Sequence, residues 1–201
     1  MTFSKYNRKD IVQSIYCYED TDILINKLDI KGIHLLQEAE TEYTAQRLLE
    51  LEALPLKGRF SLSHLQGIHK YIFQDIYPFA GKIRQEDISR GNTLFARSQY
   101  IKSNLINLLL DLKKEKYLTA LERNNFCCRT AFYMAELNII HPFREGNGRV
   151  IREFIRCLAL KCGYVINWNS VDNNILLEAS ILSVNDTAEL AKCIDLCIEK
   201  E

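Results

Sequence analysis

The stretch His141-Pro142-Phe143-Arg144-Glu145-Gly146-Asn147-Gly148-Arg149-Val150-Ile151-Arg152 lies between two apolar runs of helical spacing, from about Leu118 to Ile140 and from about Gly148 to Lys161. A helix start leaves backbone N–H groups unpaired and carries partial positive charge, so an anion is favoured there. Gly146 and Gly148 allow the backbone close to a phosphate with no Cβ in the way. Arg149 and Arg152 are three residues apart and share a helix face. Two guanidinium groups beside an anion site suit a diphosphate or triphosphate. Glu145 would repel phosphate unless a divalent cation lay between them, and Mg²⁺ commonly takes one or two carboxylates plus phosphate oxygens and water. His141, at the other end of the loop, has the chemistry of a general base for a protein hydroxyl. Phe143 reads as a core anchor and Pro142 as a stiffener of the loop entry. Taken singly, His-Pro is a capped helix end and Gly-Asn-Gly a turn; together the elements serve one nucleotide–metal geometry.

Outward from this loop the chain reads as helical. Apolar spacing predicts a helix from Lys31 to Leu54, ended by Pro55 and Gly58. Ser61 should cap a helix through Leu65, Ile68, Ile72 and Phe73 that ends before Pro78. Between Gly81 and Tyr100 the pattern changes: Ile83 to Ile88 looks extended, Ser89-Arg90-Gly91-Asn92 supplies turn chemistry, and Thr93-Leu94-Phe95 resumes a strand-like run. A small hairpin in a helical protein is expected. Helical spacing returns at Ile101, Leu105, Ile106, Leu109 and Leu112 and fades at the solvated run Lys113 to Lys116. Gly163 is a C-cap glycine, and two amphipathic segments, 173–182 and 187–198, complete the chain. Residues 1–30 should pack on a single domain spanning 31–201. The fold class is all-α, a helical bundle with one small β-hairpin flap.

Composition bounds the function. The 201 residues carry 26 basic and 26 acidic side chains, and 47% are hydrophobic. That balance argues against a general nucleic-acid or membrane-surface binder, and no apolar run is long enough to span a bilayer. Met1 to Asp10 does not resemble a signal peptide. Seven cysteines, mostly within helical patterns, lack the paired spacing of a zinc site and read as reduced thiols in a cytoplasmic protein. His34, His64 and His69 read as surface or packing histidines. Arg84, Arg90 and Arg97 read as solvated charge near the hairpin, and Trp168 as an anchor for the C-terminal segment.

The motif resembles the signature of the Fic (filamentation induced by cAMP) family, HxFx(D/E)GNGRxxR, at every defining position. A wider similarity runs from about Tyr16 to the C-terminus and includes Gln74 to Arg84, like the segment leading into that family's hairpin. The resemblance implies a protein adenylyltransferase that moves AMP from Mg²⁺-bound ATP to a hydroxyl of a target protein and releases pyrophosphate. It assigns His141 as the base and Glu145 as the Mg²⁺ ligand. Gly146, Asn147 and Gly148 would form the anion hole, the Asn side chain helping. Arg149 would meet the β/γ-phosphate region and Arg152 the γ-phosphate. The flap, Ser89, Arg90, Gly91, Asn92, Thr93, Leu94, Phe95 and Ala96, would dock an extended target segment by strand pairing.

Many proteins of that family are restrained by a helix bearing (S/T)xxxE(G/N), whose Glu meets the second motif arginine. Here Thr44 has Leu48 four residues on, and the C-terminal Cys197-Ile198-Glu199-Lys200-Glu201 has Cys in the Ser/Thr place and nothing after Glu201. A small antitoxin-like inhibitory protein, a degenerate C-terminal helix with Glu201 as the possible inhibitory residue, and no inhibition of this kind all stay open. Alternatives to the leading activity are another phosphate-containing donor, removal of AMP, and a non-catalytic nucleotide-binding module. Gly148 stands where family members that phosphorylate place Lys.

Overall fold

A computed structural model describes residues 13–91 and 93–199. Seven α-helices account for most of it: α1 (Ile33–Ala53), α2 (Leu62–Phe73), α3 (Ile101–Lys114), α4 (Arg123–Ile140), α5 (Asn147–Lys161), α6 (Asn173–Leu182) and α7 (Ala188–Cys197). One antiparallel ribbon, β1 (Ser89–Arg90) and β2 (Thr93–Leu94), lies between α2 and α3. The chain is all-α with a small hairpin, as its periodicity predicts.

The core forms where α4 and α5 pack on one another, with α2 against α5 and both α3 and α7 against α4. Leu65, Ile68 and Ile72 of α2 meet Val150, Ile151, Phe154 and Ile155 of α5 in a continuous buried cluster. Burying such side chains contributes about 1.5–3 kcal/mol each before entropy is counted. The two central helices therefore enter and leave the motif loop from a rigid base.

Local signals account for most boundaries. Ser61 accepts a hydrogen bond from the His64 amide (3.4 Å) at the start of α2, and Asp172 accepts from Asn174 (2.8 Å) at the start of α6. Gly163, at φ +84°, ends α5 in a Schellman turn: its amide bonds to Leu160 and that of Tyr164 to Ala159.

Two expectations need correction. The helix expected from Leu118 begins only at Arg123, because Lys116, Tyr117, Leu118 and Ala120 take left-handed backbone angles. That turn reverses the chain after α3 and drives Leu118 into the core at 0% exposure. In the hairpin, Ser89 and Arg90 pair with Leu94 and Thr93 instead of forming the turn. Gly91, at φ +56°, follows β1 at the reversal; Asn92 lies outside the described residues.

Residues 13–30 lie against the segment that leads to the hairpin. The Glu86 carboxylate accepts from the Ser14 hydroxyl (2.8 Å) and the Ile15 amide (2.7 Å), and the Lys27 amide donates to the Ile76 carbonyl (2.7 Å).

Candidate active site

The loop begins where α4 ends. His141 caps that helix in the left-handed region (φ 48°, ψ 63°), which turns its ring out of the helical path. Its Nδ1 lies 2.9 Å from the Asn138 carbonyl. A carbonyl oxygen only accepts, so Nδ1 carries the proton and Nε2 of the neutral ring is the basic nitrogen. Burial, followed by the repulsion of Arg84 and Arg90, pushes its pKa down to about 3. The ring also stacks on Phe95 of the hairpin, with centroids 3.7 Å apart. The geometry thus holds a neutral imidazole in one tautomer and one plane.

Arg84 fixes the hairpin to this helix end. Expected as solvated charge, it is 1% exposed. Its guanidinium donates to the carbonyls of His141 (2.8 Å), Glu86 (2.5 Å), Ala96 (2.5 Å) and Ile140 (3.3 Å). A planar five-donor fork is the one side chain that satisfies so many converging carbonyls. The Ala96 amide adds a bond to Ile139 (3.0 Å), and the Arg84 amide one to Pro142 (2.9 Å). Arg90 and Arg97 are exposed.

The middle of the loop is clasped from inside. Phe143 is fully buried and stacks on His69 at 4.0 Å. The Gly81 amide donates to His69 Nδ1 (2.7 Å), which forces the ring proton onto Nε2, and Nε2 donates to the Glu145 carbonyl (3.1 Å). Burial holds the His69 pKa near about 3, so the ring stays neutral. His69 is a packing histidine, as expected, and it also sets the carbonyl of the motif carboxylate. His64 is likewise buried, while His34 is exposed.

Asn147 departs from its expected role. Its carboxamide accepts from the Phe143 amide (2.9 Å) and donates to the Phe143 carbonyl (2.8 Å), at 1% exposure. The side chain closes the loop on itself, so its carboxamide is already engaged within the loop. Gly146 precedes α5 at φ +78°, and a Cβ there would fall 2.0 Å from Phe73 Cζ. Its amide donates to Glu145 Oε1 (2.9 Å), which turns that carboxylate, 7% exposed, toward the helix start. Gly148 is exposed at the first turn, and Arg152 Nη1 lies 3.4 Å from where its Cβ would be.

The two arginines differ sharply. Arg149 is held by Glu40 (2.5 Å) and Thr44 (3.0 Å) of α1, lies over the Phe73 ring at 4.7 Å, and stands 3.8 Å from Glu145. The Arg152 guanidinium has no hydrogen bond or ion pair among the described residues. Burial and the neighbouring Arg149 lower its pKa. Trp168 donates to the Arg152 carbonyl (3.2 Å), so the lone tryptophan braces this helix instead of only anchoring its own segment. A desolvated cation without an anion is costly, and the arrangement suits an anionic ligand.

Beside His141 opens a cavity of about 440 Å³, bounded by Arg90, Thr93 and Phe95 of the hairpin and by Leu177 and Ile181 of α6. Leu177 and Ile181 are 42% and 58% exposed, apolar surface lining this cavity. Of the hairpin residues expected to form the flap, all but Asn92 are described. Glu201 lies outside the described residues; Cys197 before it is fully buried, and the Glu199 amide bonds to Val165 (3.0 Å). The sequence pattern did not single out Glu40, Leu177 or Ile181, offered Thr44 only as a failed inhibitory-helix residue, and made Arg84 look solvated.

Residues 59–159 match the model of the Fic/DOC family. The protein adenylyltransferase VbhT of Bartonella schoenbuchensis is 38% identical over 179 residues, 89% of this chain and 37% of that protein. The chain thus spans little more than a third of that relative's length. The Escherichia coli (strain K12) protein named probable protein adenylyltransferase Fic is 38% identical over 165 residues, 82% of each chain. Among solved structures, the ADP-bound N-terminal Fic domain of a VirB-translocated Bep effector from Bartonella quintana superposes with a TM-score of 0.85 at 25% identity, covering 92% of this chain and 95% of that one. With the loop, the hairpin and the helical frame all accounted for, the chain belongs to the Fic/DOC family.

Proposed function

We propose that this chain is a protein adenylyltransferase that moves AMP from ATP to a hydroxyl side chain of a target protein. The observation that carries the reading is the contrast within one site: a neutral His141 whose tautomer is set by Asn138, and an Arg152 guanidinium without a partner among the described residues. The names of the relatives and the ADP in the Bartonella quintana structure support it.

The phosphates would lie over the start of α5, with the terminal phosphate at Arg152 and the backbone amides of 146–148 below the chain. The nucleoside would then extend past His141 into the slot between hairpin and α6, where Leu177 and Ile181 offer an apolar face for a base. This threading brings the α-phosphate beside His141. A target segment paired along the hairpin would present its hydroxyl there. His141 Nε2 takes the hydroxyl proton as the new O–P bond forms at the α-phosphorus. The bond from that phosphorus to the bridging oxygen breaks, and pyrophosphate leaves. Preorganised donors at the helix start and Arg152 stabilise the charge that develops.

Glu145 would hold Mg²⁺, which neutralises phosphate charge. The residues fit it: one carboxylate, oriented by the Gly146 amide, suits an ion that takes most of its ligands from phosphate and water. Among the described residues no three His, Cys, Asp or Glu side chains form a cage for a metal.

An inhibitory partner belongs to the same proposal, since an incoming carboxylate would find Arg152 unpaired. All seven cysteines are free and no described helix is long and apolar enough to cross a membrane; the free thiols support a cytoplasmic site of action. The test is incubation with ATP labelled at the α-phosphate and a cell lysate. The wild-type chain should label protein and His141→Ala should not; equal labelling by both would remove His141 from the mechanism.

A further inference from the structure

Glu40 is not part of the sequence motif, yet its carboxylate joins Arg149 of the motif to Tyr77. It is 9% exposed on α1 and faces α5. One carboxylate oxygen takes the Arg149 guanidinium at 2.5 Å. The other accepts the Tyr77 hydroxyl, whose proton burial and the Glu40 charge both retain. Thr44, one turn along α1, donates its hydroxyl to the Glu40 carbonyl at 2.7 Å and so turns a lone pair to Arg149 at 3.0 Å. Phe73 lies under the Arg149 guanidinium, 4.7 Å from ring centroid to Cζ. Glu40 therefore cannot swing away, and Arg149 is caught between two carboxylates. The same nitrogen, Nη2, is 2.5 Å from Glu40 and 3.8 Å from Glu145.

That asymmetry matters because Glu145 is the carboxylate read above as the metal ligand. A guanidinium free to close the remaining gap of about 1 Å would form a short charge-assisted pair with Glu145 and compete with a divalent cation for its oxygens. Glu40 supplies the nearer anion and removes the incentive. We infer that Glu40 is a positioning residue for the metal–nucleotide site: by holding Arg149 on α1 it keeps the Glu145 carboxylate available to Mg²⁺. The order of the two α1 residues, Glu before Thr, and its aim at the first motif arginine separate this contact from a carboxylate that occupies Arg152. The inference rests on the assignment of Glu145 made under the proposed function.

The test is calorimetric titration of ADP into the full chain, with and without Mg²⁺. In the wild type Mg²⁺ tightens ADP binding. In Glu40→Gln that Mg²⁺-dependent gain falls by roughly tenfold, the low end for loss of a group supporting a metal ligand, while the affinity without Mg²⁺ does not fall. In Glu40→Gln/Arg149→Met the competing cation is gone and the gain returns. Glu40→Asp, which keeps the charge but shortens its reach, serves should the Gln variant fail to fold, and shows a smaller loss in the same direction. Equal loss of affinity with and without Mg²⁺, no recovery in the double variant, or an unchanged Mg²⁺ response in Glu40→Asp overturns the inference. Failure of the wild type to bind ADP overturns the nucleotide reading itself and is thereby told apart.

Discussion

Gly146→Ala tests how tightly the motif loop is built into the core. At φ +78° an alanine is strained by about 1–2 kcal/mol. The added methyl also lies 2.0 Å from Phe73 Cζ and 2.2 Å from Cε2. Phe73 is 0% exposed and packs against His69 at 4.9 Å, so relieving the clash means shifting a packed ring or the loop, at about 1–3 kcal/mol. The sum is about 2–5 kcal/mol, or roughly 5–15 °C in Tm for a domain of this size. Denaturant unfolding of Gly146→Ala, Phe73→Leu and the double variant separates the parts. Leucine lacks the ring tip, so the clash should vanish in the double variant and leave only the backbone strain. The coupling energy is then about 1–3 kcal/mol. Destabilisation below about 1 kcal/mol by Gly146→Ala, or strict additivity with Phe73→Leu, would refute the reasoning.

His69 and His141 stay neutral in the fold with pKa values near about 3 and bind protons in the unfolded chain near 6.5. The unfolded state therefore holds more protons between those values, and stability falls as the pH drops through 6.5. The slope from this pair approaches about 2.7 kcal/mol per pH unit near pH 5, and His69→Gln should remove roughly half of it in pH-dependent denaturation. Phe95→Ala should lower kcat up to roughly tenfold through loss of an aromatic stack on the base, with ATP affinity much less affected. Leu177→Ala should do the reverse, raising KM for ATP roughly tenfold by removing apolar contact in the slot, with little effect on Tm because the side chain is already partly exposed.

What was legible in the sequence was local. Gly146 before a helix, arginines three apart, and Ser61 and Gly163 at helix ends are short-range choices whose physics acts within a turn. The loop and most helix limits followed from them. What escaped was long-range. Glu40 reaches Arg149 across 109 positions, and no periodicity announces that pairing. Arg84 looked solvated because nothing beside it in sequence shows four carbonyls converging from the hairpin and the end of α4. Asn147 looked like an anion ligand until Phe143 was seen to take both ends of its carboxamide. The left-handed turn at 116–120 was hidden because its residues carry ordinary helical side chains; burial of Leu118 in the folded core selects it.

The central claim, transfer of AMP past His141 with Arg152 on the phosphates, is tested most directly by one mass-spectrometric measurement. The chain is incubated with Mg²⁺, ATP and a lysate, and modified peptides are compared among wild type, His141→Ala and Arg152→Ala. The account predicts AMP on hydroxyl side chains with wild type, none with His141→Ala, and a strong reduction with Arg152→Ala. Phosphate in place of AMP, or AMP-modified peptides undiminished by His141→Ala, would contradict it.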